Sequence, residues 1–200
     1  PADYLPHWHI TGYWFYDEEN WQPSEALQRF LASGPAPVYI GFGSMTDSDA
    51  RATTDLILHA QRDAGARVVL YGGWAGLSPQ SVPQDVFMLS AAAHSWLFPR
   101  VKAVVHHGGA GTTAAAVRAG VPQFIAPHFA DQPFWARRMH ELGVAAKPVS
   151  KHKLTTAALS AALLQISTDA PMRDKAAALG QAVRAEDGVG AAVRLIEDLA

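Results

Sequence analysis

The feature that most constrains this sequence is an alternation of short apolar runs with helical stretches, which begins at Val38. Five runs of four or five β-branched and aromatic residues predict strands at residues 38–42, 67–70, 86–89, 103–106 and 123–126. The stretches between or after them predict helices at residues 48–64, 111–119 and 132–142. Such alternation is typical of a parallel sheet with helices on both faces. We therefore predict an α/β fold with a Rossmann-like, doubly wound parallel sheet.

The two ends of the chain differ from this alternating part. Residues 1–37 are rich in aromatic residues and prolines and show no sustained period, which predicts an irregular connecting segment. One short helix is predicted within it at residues 24–32, with Ser24 as its N-cap. After Pro148, three alanine-rich stretches predict C-terminal helices that pack back onto the sheet, at residues 155–167, 171–186 and 188–199.

Composition excludes several classes of protein. The 200 residues are 49% hydrophobic and 17% charged, and 16 Lys plus Arg nearly cancel 18 Asp plus Glu, so the chain is neither disordered nor a polybasic nucleic-acid binder. No apolar run approaches the roughly 20 residues of a membrane helix and no signal peptide is visible, so we expect a soluble, cytosolic protein. Without cysteine, disulfides and thiolate chemistry are excluded.

The glycine-rich segment after the fourth predicted strand is the strongest candidate binding site. Residues 106–113 read His-His-Gly-Gly-Ala-Gly-Thr-Thr and run directly into a predicted helix. Exposed amides at a helix N-terminus suit an anion such as a phosphate. The groups available are the backbone around Gly108, Gly109 and Gly111, the hydroxyls of Thr112 and Thr113, and the imidazole of His107. Alternatively, the glycines only permit tight strand-to-helix packing, and both histidines are ordinary strand-end residues.

A dinucleotide fingerprint is a second interpretation of the same residues. Residues 109–114 fit the pattern G-x-G-x-x-A, and Asp131 lies 20 residues beyond Gly111. In that motif the acidic residue stands at the tip of the next strand, whereas Asp131 comes several residues later. Three predicted strands also precede the motif, which normally follows the first strand. We therefore discount an NAD-dependent dehydrogenase.

Two further turns that follow predicted strands carry polar groups. Asp131 and Gln132 follow the fifth strand, and a carboxylate beside a carboxamide suits sugar hydroxyls. Asp131 could equally cap the following helix. After the first strand, residues 41–44 form a small glycine turn whose amides and Ser44 hydroxyl could reach a diphosphate, or which merely leads into a helix.

Three segments in their order and spacing, residues 107–112, 118–122 and 129–135, resemble the donor-binding signature of nucleotide-sugar-dependent glycosyltransferases with the two-domain GT-B fold. The sequence is most similar to the family 1-type sterol and flavonoid glucosyltransferases of bacteria and fungi and to the glycopeptide-antibiotic glycosyltransferases. The resemblance covers essentially the whole chain. It implies one half of a GT-B fold, with residues 1–37 as an interdomain linker and residues 38–200 as the nucleotide-sugar donor-binding domain.

The resemblance also implies roles for individual residues. The implied diphosphate site comprises His107, Gly108, Gly109, Gly111, Thr112 and Ser44. Asp131 and Gln132 are expected to hold the sugar hydroxyls, and Leu89 and Ser90 to lie against the nucleotide base. Neither a metal nor a cofactor is implied, since the donor substrate is UDP-glucose or a dTDP-sugar.

The implied reaction is inverting transfer of a hexose, most simply glucose, to an acceptor hydroxyl while the diphosphate leaves. In this family the catalytic base and most of the acceptor pocket belong to the N-terminal domain. We therefore expect no catalytic residue in this chain, and donor binding without turnover by the chain alone. The expected acceptor is a small lipophilic molecule of the sterol, flavonoid or polyketide kind, and a lipid acceptor would bring the protein to a membrane surface.

The sequence departs from its relatives at several donor positions, which leaves two alternatives open. Leu89 replaces a tryptophan of the plant members, so base recognition should rest more on backbone contacts and apolar packing. Ala115 replaces their glutamate for the ribose hydroxyls, which leaves UDP and dTDP both open. Ala93 and Ser95 replace a proline and an aspartate. These changes allow a nucleotide-sugar sensor without catalysis. A sugar-nucleotide epimerase of the same fold would need catalytic groups that we do not find.

Overall fold

The computed structural model describes residues 4–5, 7–18, 20–42, 49–72 and 82–198. Within these residues one parallel sheet contains five strands: β1 (Val38–Gly41), β2 (Val68–Tyr71), β3 (Val86–Leu89), β4 (Ala103–His106) and β5 (Gln123–Ile125). Their order is β3-β2-β1-β4-β5, and every neighbouring pair is parallel. Each strand begins and ends within one residue of its predicted bounds.

Helices follow or separate the strands. They are α1 (Glu25–Ala32), α2 (Ala50–Asp63), α3 (His94–Leu97), α4 (Ala110–Ala119), α5 (Gln132–Glu141), α6 (Thr156–Thr168), α7 (Ala170–Arg184) and α8 (Gly188–Glu197). Short 3₁₀ turns occupy Phe98–Arg100 and Lys151–Lys153. The predicted cap of α1 is confirmed, because the Ser24 Oγ accepts the N–H of Leu27 at 3.2 Å. The four-residue α3 was not predicted.

The strands divide their side chains between two apolar layers, as period-two geometry requires. Val38 and Ile40 of β1 face one layer with Ile57 of α2 and Leu159 of α6. Tyr39 faces the opposite layer with side chains of α1 and α4, and it is 2% exposed. Both faces of the sheet are therefore covered, which confirms the doubly wound α/β prediction.

The C-terminal helices pack on different partners. Helix α6 lies on the sheet beside α2, as expected. Helix α7 packs on α4, so closely that a Cβ at Gly180 would stand 2.6 Å from the Gly120 Cα. Helix α8 begins against the backbone of Tyr13, where a Cβ at Gly188 would stand 2.6 Å from a carbonyl oxygen. The expectation that all three pack onto the sheet is thus correct for α6 and wrong for α8. None of the described helices is long and apolar enough to span a membrane.

Candidate functional site

The carboxyl ends of the strands meet at one edge of the sheet, where ligands of such folds bind. The strand order reverses between β1 and β4, and such a reversal is the place where open α/β sheets bind ligands. The predicted site residues after β3, β4 and β5 all lie at this edge. Ser44, predicted after β1, falls outside the described residues.

The turn between β4 and α4 is compact, and its glycines are required for that reason. Gly108 has a φ of +95°, and a Cβ there would stand 2.8 Å from the Ile125 Cγ2. A Cβ at Gly109 would stand 2.5 Å from the Nε2 of His107. The tight-packing interpretation is therefore confirmed for both glycines, and the turn brings the His107 ring over the Gly109 backbone.

The first turn of α4 offers unpaired donors. Among the residues that the structure describes, the N–H groups of Ala110, Gly111 and Thr112 have no acceptor. Gly109 is the N-cap and brings no side chain to them. A helix N-terminus carries partial positive charge and accepts an anion readily. This end of α4 is therefore available to a phosphate.

His107 adds a further unpaired polar atom beside this helix end. Its ring is half-buried, and its Nδ1 has no hydrogen-bond partner within the described part of the chain. Burial lowers the pKa of His107, and the carboxylate of Asp131 opposes that shift. The imidazole is therefore neutral at pH 7. Its Nδ1 is buried, so the Nε2, which makes no hydrogen bond among the described residues, is the nitrogen that a ligand can reach.

Two of the predicted donors are already engaged. The N–H of Gly108 donates to the Nδ1 of His106 at 3.1 Å, so it is not free for a phosphate. The hydroxyl of Thr113 donates to the carbonyl of Gly109 at 2.9 Å and is buried. The contribution of Gly108 is therefore to the shape of the turn, and the interpretation of Thr113 as an anion donor is wrong.

Asp131 and Gln132 lie at the start of α5, in the turn after β5. Asp131 occupies the N-cap position, but its backbone is helical and its side chain makes no capping hydrogen bond, so the capping interpretation is wrong. Its Oδ2 instead accepts the indole N–H of Trp135 at 2.8 Å. The buried Gln132 Oε1 accepts the backbone N–H groups of His128 and Phe129 at 2.7 and 3.3 Å. One half of the Gln132 amide therefore holds the turn.

The predicted base residues line two cavities, one of which adjoins the N-terminus of α4. Leu89, Ser90 and Trp21 line one cavity of about 280 Å³. Leu89 also lines a second cavity, of about 330 Å³, with Gly41 and Thr112. The structure thus brings a predicted base residue and a predicted diphosphate residue to one cavity.

Residues 11–18, here called the strap, form a wall that the sequence analysis did not find. The strap and α4 enclose a cavity of about 810 Å³, with Gly111 and Ala115 on its helical side. Arg118 holds the strap by donating to both oxygens of Asp17, at 2.7 and 2.9 Å. Arg118 also lowers the pKa of Asp17. The two partners are 101 positions apart, so no local sequence pattern predicts them.

Solved glycosyltransferases have the same fold. The glycotransferase of kitacinnamycin matches with a TM-score of 0.75 and 22% identity, over 94% of this chain and 47% of that chain. The calicheamicin glycosyltransferase CalG4 matches with a TM-score of 0.67 and 24% identity, over 89% of this chain and 43% of that chain. The domain is therefore one half of a GT-B glycosyltransferase fold, as predicted.

Sequence comparison then identifies the family. Residues 57–196 match the family described as "Erythromycin biosynthesis protein CIII-like, C-terminal domain". O-mycaminosyltylonolide 6-deoxyallosyltransferase of Streptomyces fradiae is 45% identical over 201 residues, covering 100% of this chain and 47% of the relative. Sterol 3-beta-glucosyltransferase UGT80A2 of Arabidopsis thaliana is 39% identical over 201 residues, covering 97% and 31%. The chain spans about half the length, or less, of these relatives. It belongs to the erythromycin CIII-like family of glycosyltransferase C-terminal domains.

Proposed function

We propose that this chain binds the nucleotide-sugar donor of a glycosyltransferase, with the diphosphate in the turn between β4 and α4. The observation that carries the proposal is the set of unpaired groups in that turn. Three backbone N–H groups at residues 110–112 and the Nε2 of His107 have no hydrogen-bond partner among the described residues. A diphosphate supplies acceptors and negative charge for all of them.

The remaining parts of the donor are assigned to neighbouring residues. The base lies against Leu89, which lines one cavity with Thr112, and against Ser90, which lines a second cavity with Leu89. The hexose lies near Asp131 and Gln132. The exposed Asp131 carboxylate has room to accept sugar hydroxyls, and the Gln132 Nε2 has no partner among the described residues. Ala115 contributes no polar atom to a ribose, so UDP and dTDP donors are both suitable.

The proposed reaction is inverting transfer of a hexose, for which glucose is the simplest candidate. The acceptor oxygen bonds to the anomeric carbon, the bond from that carbon to the diphosphate oxygen breaks, and the hydroxyl proton passes to a base outside this chain. The fixed N–H donors of α4 stabilise the charge that develops on the leaving diphosphate. In this proposal the chain alone binds donor without turnover. Metal independence and a cytoplasmic location stay predictions.

The acceptor is proposed from the named relatives. One relative acts on O-mycaminosyltylonolide and another on a sterol, by their names. A small lipophilic acceptor of the sterol or polyketide kind is therefore proposed for the whole protein, with its pocket in another part of the molecule.

Calorimetric titration of this chain with UDP, dTDP, their glucose conjugates and NAD tests the proposal. We expect a nucleoside diphosphate to bind, NAD not to bind, and His107→Ala to weaken binding about tenfold or more. The control is His59→Ala, because His59 is exposed on α2. Absence of binding by every diphosphate, or unchanged binding in His107→Ala, would overturn the proposal. Donor consumption by the full-length protein with an acceptor separates an enzyme from a sensor.

A further inference from the structure

We propose that His106 is a positioning residue, whose neutral imidazole sets the turn between β4 and α4 so that the free N–H groups of α4 face the diphosphate. This inference rests on the proposed function. His106 is the last residue of β4 and is fully buried. Because it is fully buried, it does not contact the nucleotide sugar itself and acts through Gly108.

Two hydrogen bonds fix the His106 ring. Its Nδ1 accepts the N–H of Gly108 at 3.1 Å, and its Nε2 lies 2.8 Å from the Oε1 of Gln123. Because Nδ1 accepts from an amide, the ring hydrogen is on Nε2, which donates to Gln123. Gln123 is fully buried on the neighbouring strand β5. The imidazole thus ties the turn to the sheet.

Only a neutral imidazole makes this arrangement. A proton on Nδ1 would face the Gly108 N–H, leaving two donors opposed and no acceptor. Burial lowers the pKa of His106 to about 3, with smaller contributions in the same direction from His107 and His94. The acceptor at Nδ1 is therefore present throughout the neutral pH range.

The hydrogen bond from Gly108 to His106 lies two residues before the start of α4 and so orients the first N–H groups of that helix. Gly108 lies in the left-handed region with a φ of +95°, and α4 begins two residues later. The N–H of Gly108 is turned inward to His106, whereas those of residues 110–112 are left without acceptors. For packing alone an apolar side chain would serve at this position, as Val104 does two residues earlier in the same strand. The acceptor atom is what distinguishes histidine here.

Two nearly isosteric variants separate the acceptor from packing. In His106→Thr the hydroxyl can accept the N–H two residues ahead, and in His106→Val it cannot. Both lose the same volume. We expect the Thr variant to bind UDP and inorganic pyrophosphate within about threefold of the unmodified chain, and the Val variant to bind both about tenfold more weakly than the Thr variant. Near-ultraviolet circular dichroism verifies that both are folded.

The inference is overturned if folded Thr and Val variants bind pyrophosphate equally well. Should the smaller side chains prevent folding, the pair His106→Asn and His106→Leu repeats the comparison at larger volume, with the Asn Oδ1 as acceptor. If the unmodified chain binds neither UDP nor pyrophosphate, the proposed function fails. If it binds both and the paired variants do not differ, only the role of His106 fails.

Discussion

The β4–α4 turn and the β5–α5 turn are neighbours at the carboxyl edge of the sheet, and each leads into a helix of ten residues. In the first, three N–H groups at residues 110–112 find no acceptor among the described residues. In the second, the Gln132 side chain accepts the N–H groups of His128 and Phe129. Each also contains one residue with positive φ, Gly108 at +95° and Ala130 at +55°.

The comparison shows that similar turns can serve different purposes. The β4–α4 turn leaves three backbone N–H groups without an acceptor among the described residues, whereas in the β5–α5 turn the Gln132 side chain accepts two such groups. Substitutions in the first should therefore change ligand binding, and substitutions in the second should change stability. Two groups in the second turn are exceptions. The exposed Asp131 carboxylate can accept hydrogen bonds beyond the one from Trp135, and the Gln132 Nε2 has no partner among the described residues.

The largest expected effect is that of Gly108→Ala. The new Cβ would meet the Ile125 Cγ2 at 2.8 Å and the Gln132 carbonyl oxygen at 3.1 Å, at a φ that alanine disfavours. We expect the free energy of unfolding to fall by about 3 kcal/mol and UDP binding to weaken more than about tenfold. Denaturant titration and calorimetry measure the two effects.

Gly65→Ala is the matched control for this substitution. Gly65 also has a positive φ, of +58°, but a Cβ there has nothing within 4 Å. We expect a loss of about 1 kcal/mol and unchanged UDP binding. Equal losses in the two variants would show that the crowding around Gly108 is unimportant.

Next in size is the effect of Gln132→Met, which keeps the length of the side chain and removes the acceptor for two backbone N–H groups. We expect the free energy of unfolding to fall by about 2 kcal/mol, since two partly buried N–H groups lose their acceptor. UDP binding should stay within about threefold. The exposed Gln165→Met on α6 is the control, with a change within about 0.5 kcal/mol. A large loss of UDP affinity in Gln132→Met would contradict the assignment of UDP binding to the β4–α4 turn and of stability to the β5–α5 turn.

The pH dependence of stability tests whether the buried His106 at the β4–α4 turn is neutral. Unfolded His106 takes up a proton below about pH 6.5, whereas the folded residue does so only near its pKa of about 3. The unfolded state therefore binds more protons between these values, and stability falls as the pH falls. From pH 7 to pH 5 the contribution of His106 is a loss of about 2 kcal/mol. Denaturant titrations at several pH values give the free energy of unfolding as a function of pH. This free energy should depend less on pH in His106→Thr than in the unmodified chain, and an equal pH dependence would refute the prediction.

The smallest expected effect is that of Asp131→Asn. The Asn side chain can still accept from Trp135 but carries no charge for the sugar hydroxyls. We expect UDP binding to stay unchanged and the affinity for UDP-glucose to fall about fivefold. Calorimetry with both ligands measures the difference, and Asp55→Asn on the exposed side of α2 is the control. Equal losses for both ligands would place Asp131 outside the sugar site.

Local patterns predicted most of the fold and the glycine-rich turn that leads into α4. The strands were found because buried parallel strands are continuous apolar runs, as at residues 103–106. The glycine-rich turn was found because its residues are consecutive. Helix α3, at four residues, is too short to show a helical period. The ion pair of Asp17 with Arg118 joins distant parts of the chain, which no local pattern reveals.

The sequence by itself determined the α/β architecture, the strand positions and the turn in which unpaired donors would lie. Only the tertiary structure decided which donors are free. The Gly108 N–H is taken by His106 and the Thr113 hydroxyl by a carbonyl, while the first N–H groups of α4 are left unpaired among the described residues. The physical reason is that residue type fixes what a group can donate, whereas its partner depends on which atoms the fold brings within about 3 Å.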